Sequence, residues 1–141
     1  MWTCPLCGQE FVKTNQQHSC NDKTLDDFLH GKSEFTISLF WHFVRSFRKV
    51  GDVTIHPTKS MIALASKKRI GYVIQLGKNF VDVMLPFDKP YYDNLCFRKI
   101  AQVPGTQQFN HHLRLMNKED VNKEVLRFMK LAYEKSVSSE E

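Results

Sequence analysis

The chain has 141 residues, is 42% hydrophobic with 11 Phe, and carries a net charge of +5. That is enough apolar material for one ordinary core, and no run approaches the ~18 to 20 apolar residues of a membrane span. The N-terminus lacks the basic, apolar, then small-residue order of a secretion signal, so a soluble cytoplasmic protein with no membrane partner is expected.

The first segment, MWTCPLCGQEFVKTNQQHSC, holds three of the four cysteines. Its spacing is C-x2-C, a ten-residue interval, then H-x-C: Cys4, Cys7, His18 and Cys20. Zinc takes four N or S ligands at tetrahedral corners, and a C-x2-C turn lets two thiolates reach one ion while a second pair returns from the end of a short loop. Gly8 suits that turn because it tolerates positive φ. The tight H-x-C pair places His18 and Cys20 on a turn, not on one face of a DNA-reading helix. A redox C-x-x-C normally follows a strand in a sizeable α/β unit, and no strand is expected before Cys4; paired disulfides fit poorly with three crowded thiols and a distant Cys96. The expectation is a zinc knuckle over residues 1–22, with Zn2+ structural because four protein ligands leave no open position. Trp2, Leu6, Phe11 and Val12 are too few to order the segment without the ion.

Thr24 to Asp27 is a capping signature before Phe28 and Leu29, with Gly31 as the stop of a short linker helix. From an N-cap at Ser33, the positions Ile37, Phe40, Trp41, Val44 and Phe47 recur at three and four up to Gly51, an amphipathic helix whose stripe Phe35, Leu39 and Phe43 widen. The period then becomes two over 53–55, 61–65, 72–76 and 80–85, with connections short enough for antiparallel neighbours. Further short strands are expected over 97–102 and 109–116. Asn117 is the expected cap of a closing helix carrying Val121, Val125, Phe128 and Ala132, and 136–141 reads as a frayed tail. The fold class is α+β: an antiparallel β-sheet covered by an N-terminal and a C-terminal helix, over residues 23–135, preceded by the knuckle.

These segments carry a resemblance. W-x-C-P-x-C-G-x-x-F, N-Q-x-H-S-C, the helix, G-x-V-x-I-x-P-T-K, I-A-L and the late E-x-x-x-F-M-x-x-A-Y-E resemble the bacterial family called domain of unknown function 5655 in its zinc-tailed form. The likeness runs through nearly the whole chain, and it implies the architecture and no reaction. The helix, meander and closing helix also resemble, more remotely, the frataxin-like superfamily with its MmcQ/YjbR group, for which DNA binding has been proposed; this chain lacks the acidic ridge that frataxin uses for iron.

Charge gives an independent hint of a partner. Between Arg45 and Lys99, 11 Lys or Arg stand against four Asp. Lys67, Lys68 and Arg69 sit at an expected strand turn, and with Lys59 they are candidate contacts to a phosphate backbone; the alternative is a solvated turn that favours solubility. Tyr72, Phe80, Tyr91 and Tyr92 are available to stack bases or to fill a core.

No nucleophile elbow, Walker loop or H-E-x-x-H motif appears, so the balance leans away from an enzyme. His111 and His112 are neighbours on a strand and point to opposite faces, which favours one in the core and the other in solvent. His56, Lys59 and His112, with Arg114, form the best candidate for a ligand-binding or catalytic pocket. Cys96, between Leu95 and Phe97, reads as a buried inert thiol. The reading is a zinc-containing binding module with nucleic acid as leading partner and another protein next; a small-molecule or enzymatic domain is the competing class.

Overall fold

A computed structural model describes residues 2–3, 5, 10–11 and 24–138. In chain order its elements are β1 (Trp2–Thr3), β2 (Glu10–Phe11), α1 (Leu25–Leu29), α2 (Glu34–Val50), β3 (Thr54–Pro57), β4 (Ile62–Ala65), β5 (Arg69–Leu76), β6 (Val81–Phe87), β7 (Lys99–Gln102), β8 (Phe109–Leu115), a 3-10 turn over Lys118–Asp120, and α3 (Lys123–Ser138). Strands β3 to β8 form one antiparallel sheet in the order β3-β4-β5-β6-β8-β7, and β1 pairs with β2. The class is α+β, as the change of period after Gly51 predicts. Among the described residues no helix is long and apolar enough to cross a membrane.

Local chemistry accounts for the helix ends. The Thr24 hydroxyl accepts from the Asp27 amide at 3.1 Å, and the Asp27 carboxylate accepts from the Thr24 amide at 2.9 Å, the reciprocal box its spacing predicts. Gly31, at φ 75°, stops α1 in the left-handed region. At the start of α2 the Thr36 hydroxyl reaches the Gly77 carbonyl at 2.8 Å, and the Ser33 hydroxyl donates to the Lys78 carbonyl at 2.9 Å. These bonds tie the helix to the β5–β6 turn and set its rotation. Leu39, Phe40, Phe43, Val44 and Phe47 are therefore buried, while Ile37 and Trp41 are half-buried and Phe35 is exposed. The expected stripe is right in period and shifted around the helix axis.

Two boundaries differ from expectation for visible reasons. Asn117 does not cap the closing helix: Asp120 accepts from the Met116 and Asn117 amides at 2.7 and 3.0 Å and folds that segment into the 3-10 turn. The cap passes to Asn122, whose side-chain oxygen accepts from the Val125 amide at 3.0 Å. At the other end α3 runs to Ser138, so the segment expected as a tail from residue 136 begins inside the helix. Ser136 is buried, and its hydroxyl accepts from the Lys68 amide at 3.0 Å.

Gly51 ends α2 with its amide donating to the Phe47 carbonyl at 3.2 Å, in an extended conformation and not a left-handed cap. Its missing side chain matters for space: a Cβ there would lie 2.2 Å from the Tyr133 ring of α3. The glycine lets the two long helices close over each other.

Both long helices lie on one face of the sheet. Ile62, Leu64, Val81, Val83, Leu85, Phe87, Leu113 and Leu115 point into the core with Phe40, Phe43, Phe47, Phe128 and Met129. Each such side chain contributes ~1.5 to 3 kcal/mol by leaving water. On the opposite face direct cross-strand pairing sets His56, Ala63, Tyr72, Met84, His112 and Lys99 in one row, from β3 through β4, β5, β6 and β8 to β7. Neither long helix covers that row, in which Ala63 and Met84 are nevertheless buried. Pro57 stands in β3, an edge strand, where its missing amide breaks no ladder bond.

Candidate anion-binding groove

Strand alternation sends His111 and His112 to opposite faces, as expected. His111 is fully buried: its Nδ1 lies 2.9 Å from the Phe109 carbonyl, and its Nε2 lies 3.1 Å from the Tyr91 amide. An amide can only donate, so Nε2 is the acceptor and Nδ1 carries the proton. The ring packs among Phe87, Tyr91 and Phe97 at centroid distances of 5.0, 5.5 and 4.8 Å. Burial pushes its pKa down, and the neutral imidazole spends both nitrogens on backbone. It is a structural residue.

His112 looks onto a groove of about 430 Å³ on the open face, lined by Ile74, Asp82, Arg98, Lys99, His112 and Arg114. Cross-strand pairing sets Asp82 opposite Arg114, and the two make a bidentate ion pair at 2.7 and 3.0 Å. The pair raises the Arg114 pKa. Its guanidinium also lies 3.9 Å from the Phe80 ring centroid, which fixes its plane. Arg98 reaches the same carboxylate at 3.6 Å.

Two consecutive cations face one histidine. The Arg98 amide donates to the His112 carbonyl at 2.8 Å, while Lys99 is the ladder partner of His112. Arg98 directly precedes β7 and Lys99 is its first residue. Arg98 and Lys99 both line the groove. Lys99 has no carboxylate partner among the described residues. Three cations thus surround one carboxylate. Burial, then Lys99, lowers the pKa of His112 against the opposing pull of Asp82, so the ring is neutral near pH 7 and offers one N–H donor. The groove is electropositive, and its donors converge.

The residues singled out from sequence are distributed differently. His56 shares the open face, with its Nε2 2.7 Å from the Thr54 hydroxyl. It sits on β3, four strand spacings or about 19 Å from His112, because β4, β5 and β6 intervene. Lys59 lies in the β3–β4 turn, which the Thr58 hydroxyl closes by bonding the Met61 carbonyl at 2.8 Å and the Met61 amide at 3.1 Å. His56, Lys59 and His112 therefore do not form one pocket; of that set His112 alone enters the groove, with Arg114.

Lys67, Lys68 and Arg69 are exposed at and just after the β4–β5 turn, where the spacing puts them. Successive hairpins turn at opposite ends of a sheet, so Lys59 is separated from them by the length of β4, about 13 Å. Lys59 and the Lys67–Arg69 group therefore stand at opposite ends of β4 and not in one cluster. Asp82, Arg98 and Lys99 were not singled out as site residues, since the pairing that assembles them joins segments distant in sequence. The available signal was alternation: Asp82 and Met84 fall on the same face of β6 as His112 and Arg114 on β8.

The expected metal ligands Cys4, Cys7, His18 and Cys20 lie outside the described residues. Trp2 pairs with Phe11 and Thr3 with Glu10, so a two-residue strand does precede Cys4, contrary to the expectation from sequence. The Glu10 carboxylate lies 2.7 Å from the Arg48 guanidinium on α2 and accepts from the Ile55 amide at 2.9 Å. One side chain thus joins the N-terminal hairpin to the last turn of α2 and covers an amide on the edge strand β3. Cys96 is half-buried and its thiol is pushed up to about 12, first by burial and then by Glu124, which suits the inert role expected of it.

A family model described as Domain of unknown function (DUF5655) matches residues 25–136. That span contains α2, the whole six-stranded sheet, the groove and all but the last two residues of α3. No curated protein and no solved structure matches the chain.

Proposed function

We propose, for a chain that belongs to the family described as Domain of unknown function (DUF5655) and takes from that membership a fold but no reaction, that it is a binding module holding a phosphate-bearing ligand in the open-face groove. The observation that carries this reading is the convergence of Arg98, Lys99, Arg114 and the neutral His112 on about 430 Å³ that holds one carboxylate, Asp82. Asp82 is already engaged as the anchor of Arg114, so Lys99 and the free donors of Arg98 are available to a ligand. A cation-storing surface of the frataxin kind needs the opposite balance of charge.

A nucleic-acid backbone offers the same phosphate chemistry in polymeric form. In that case the groove is the primary contact and the exposed Lys67, Lys68 and Arg69 a secondary one, since Lys59 lies at the other end of the sheet. The donor set Cys4, Cys7, His18 and Cys20, three thiols and an imidazole, fits a structural Zn2+ and no open catalytic site. The metal would order the N-terminal segment that Glu10 attaches to α2 and β3. One zinc per chain by elemental analysis is the expected result.

Calorimetry with inorganic phosphate and with a short oligothymidylate, at low ionic strength, tests the binding reading. Saturable phosphate binding that is lost in an Arg98→Ala, Lys99→Ala double variant supports it. Oligonucleotide binding that falls steeply with salt and needs the same two residues extends it to nucleic acid. If the oligonucleotide binds the double variant as well as the parent, or if neither anion binds, the groove is not the site.

A further inference from the structure

A second cavity, of about 420 Å³, opens at the end of the sheet where the β4–β5 turn meets the C-terminal part of α3. It differs from the groove in chemistry. Its floor is apolar, built from Ile70 of β5, Pro86 and Phe87 of β6 and Ala132 of α3, all but Pro86 buried. Its rim carries Lys68, Arg69 and Lys135, together with one carboxylate, Asp88, and the neutral Thr106, Gln107 and Gln108. Lys135 pairs with Asp88. Among the described residues Lys68 and Arg69 have no carboxylate partner, although both side chains are exposed beside that apolar floor.

We infer that this cavity is a binding site for a small amphipathic anion, a flat apolar body carrying one carboxylate, sulfonate or phosphate group. The apolar floor rewards the body by removing it from water, and the two unpaired cations reward the charged head. The volume lies within the range of small-molecule pockets. The walls are held before any ligand arrives, because the Lys68 amide donates to the buried Ser136 hydroxyl at 3.0 Å and ties the turn to α3. A site whose walls are fixed in advance spends less ligand affinity on ordering itself.

Amide chemical-shift titration of the full chain with naphthalenesulfonate tests this, with neutral naphthol and inorganic sulfate as comparators. Saturable shifts at Ile70, Phe87, Ala132 and Ser136 are expected, tighter than with either comparator. A Lys68→Gln, Arg69→Gln variant should bind naphthalenesulfonate roughly tenfold more weakly, the loss expected for two exposed charges. Its thermal midpoint and its phosphate response at Lys99 and His112 should be unchanged, which separates this site from the groove. Equal affinity for naphthol and naphthalenesulfonate, undiminished binding by the variant, or shifts clustered elsewhere would overturn the assignment.

Discussion

His111 and His112 are adjacent in the chain and differ in almost every physical respect, and they stand for the two faces of the sheet. On the helix-covered face every polar atom has to find a partner inside the protein, so His111 bonds two backbone groups and sits among aromatic rings. On the open face charges are held against one another in part, through Asp82, and in part left for something else to meet. The covered face sets stability; the open face is free to be specific. Substitutions on the two faces should therefore separate cleanly.

The largest effect is expected at Phe128, whose ring meets Tyr91 and Phe97 at 5.0 and 4.8 Å. Phe128→Ala should cost about 3 to 5 kcal/mol by urea denaturation, as core truncations of this size do. His111→Ala should follow at about 2 to 3 kcal/mol, since it leaves the Tyr91 amide and the Phe109 carbonyl without partners in addition to the lost packing. His112→Ala should stay within about 0.5 kcal/mol, because the half-buried ring faces the groove and not the core. Comparable losses at the two histidines would break the distinction between faces.

The pH dependence sharpens the same contrast. Burial lowers the pKa of His111 below its ordinary 6.5, so below that value the unfolded chain binds more protons than the folded one. The stability contribution is complete above pH 6.5 and is lost as pH falls from there toward the lower folded-state value. His42 and His112 are shifted down as well, chiefly by burial, and add to the same slope. Denaturation of His111→Phe across this range should show a shallower fall than the parent; an equal slope would mean that His111 does not carry it. An effect of about 1 kcal/mol, between those of the two histidines, is expected for Glu10→Ala. Faster hydrogen exchange at the Ile55 amide should accompany it, because the carboxylate no longer covers that edge.

How much of this was legible in the chain depends on the range of the interactions. The Thr24 box, the Ser33 cap, the Gly31 stop and the opposite facing of His111 and His112 follow from residues within a turn of one another, and the structure has each. The start of α3 was misplaced because Asp120 captures the Met116 and Asn117 amides first. Gly51 closes α2 as its place in the pattern predicts, but the space it leaves for Tyr133 depends on a residue far along the chain. Likewise the pocket imagined for His56 and His112 required knowing that three strands separate them, and the groove required the pairing of Asp82 with Arg114 across β6 and β8. Residue type and spacing gave the elements; sheet order decided which side chains meet.

The most direct test of the groove is the titration of the His112 ring, followed by NMR in the presence and absence of inorganic phosphate. Burial, and after it Lys99, holds its pKa down in the free protein, so an anion seated beside His112 and Lys99 should raise it, and Lys99→Met should raise it in the free protein and abolish the phosphate effect. A His112 titration that is the same with and without saturating phosphate would contradict the assignment of the open face as an anion-binding surface.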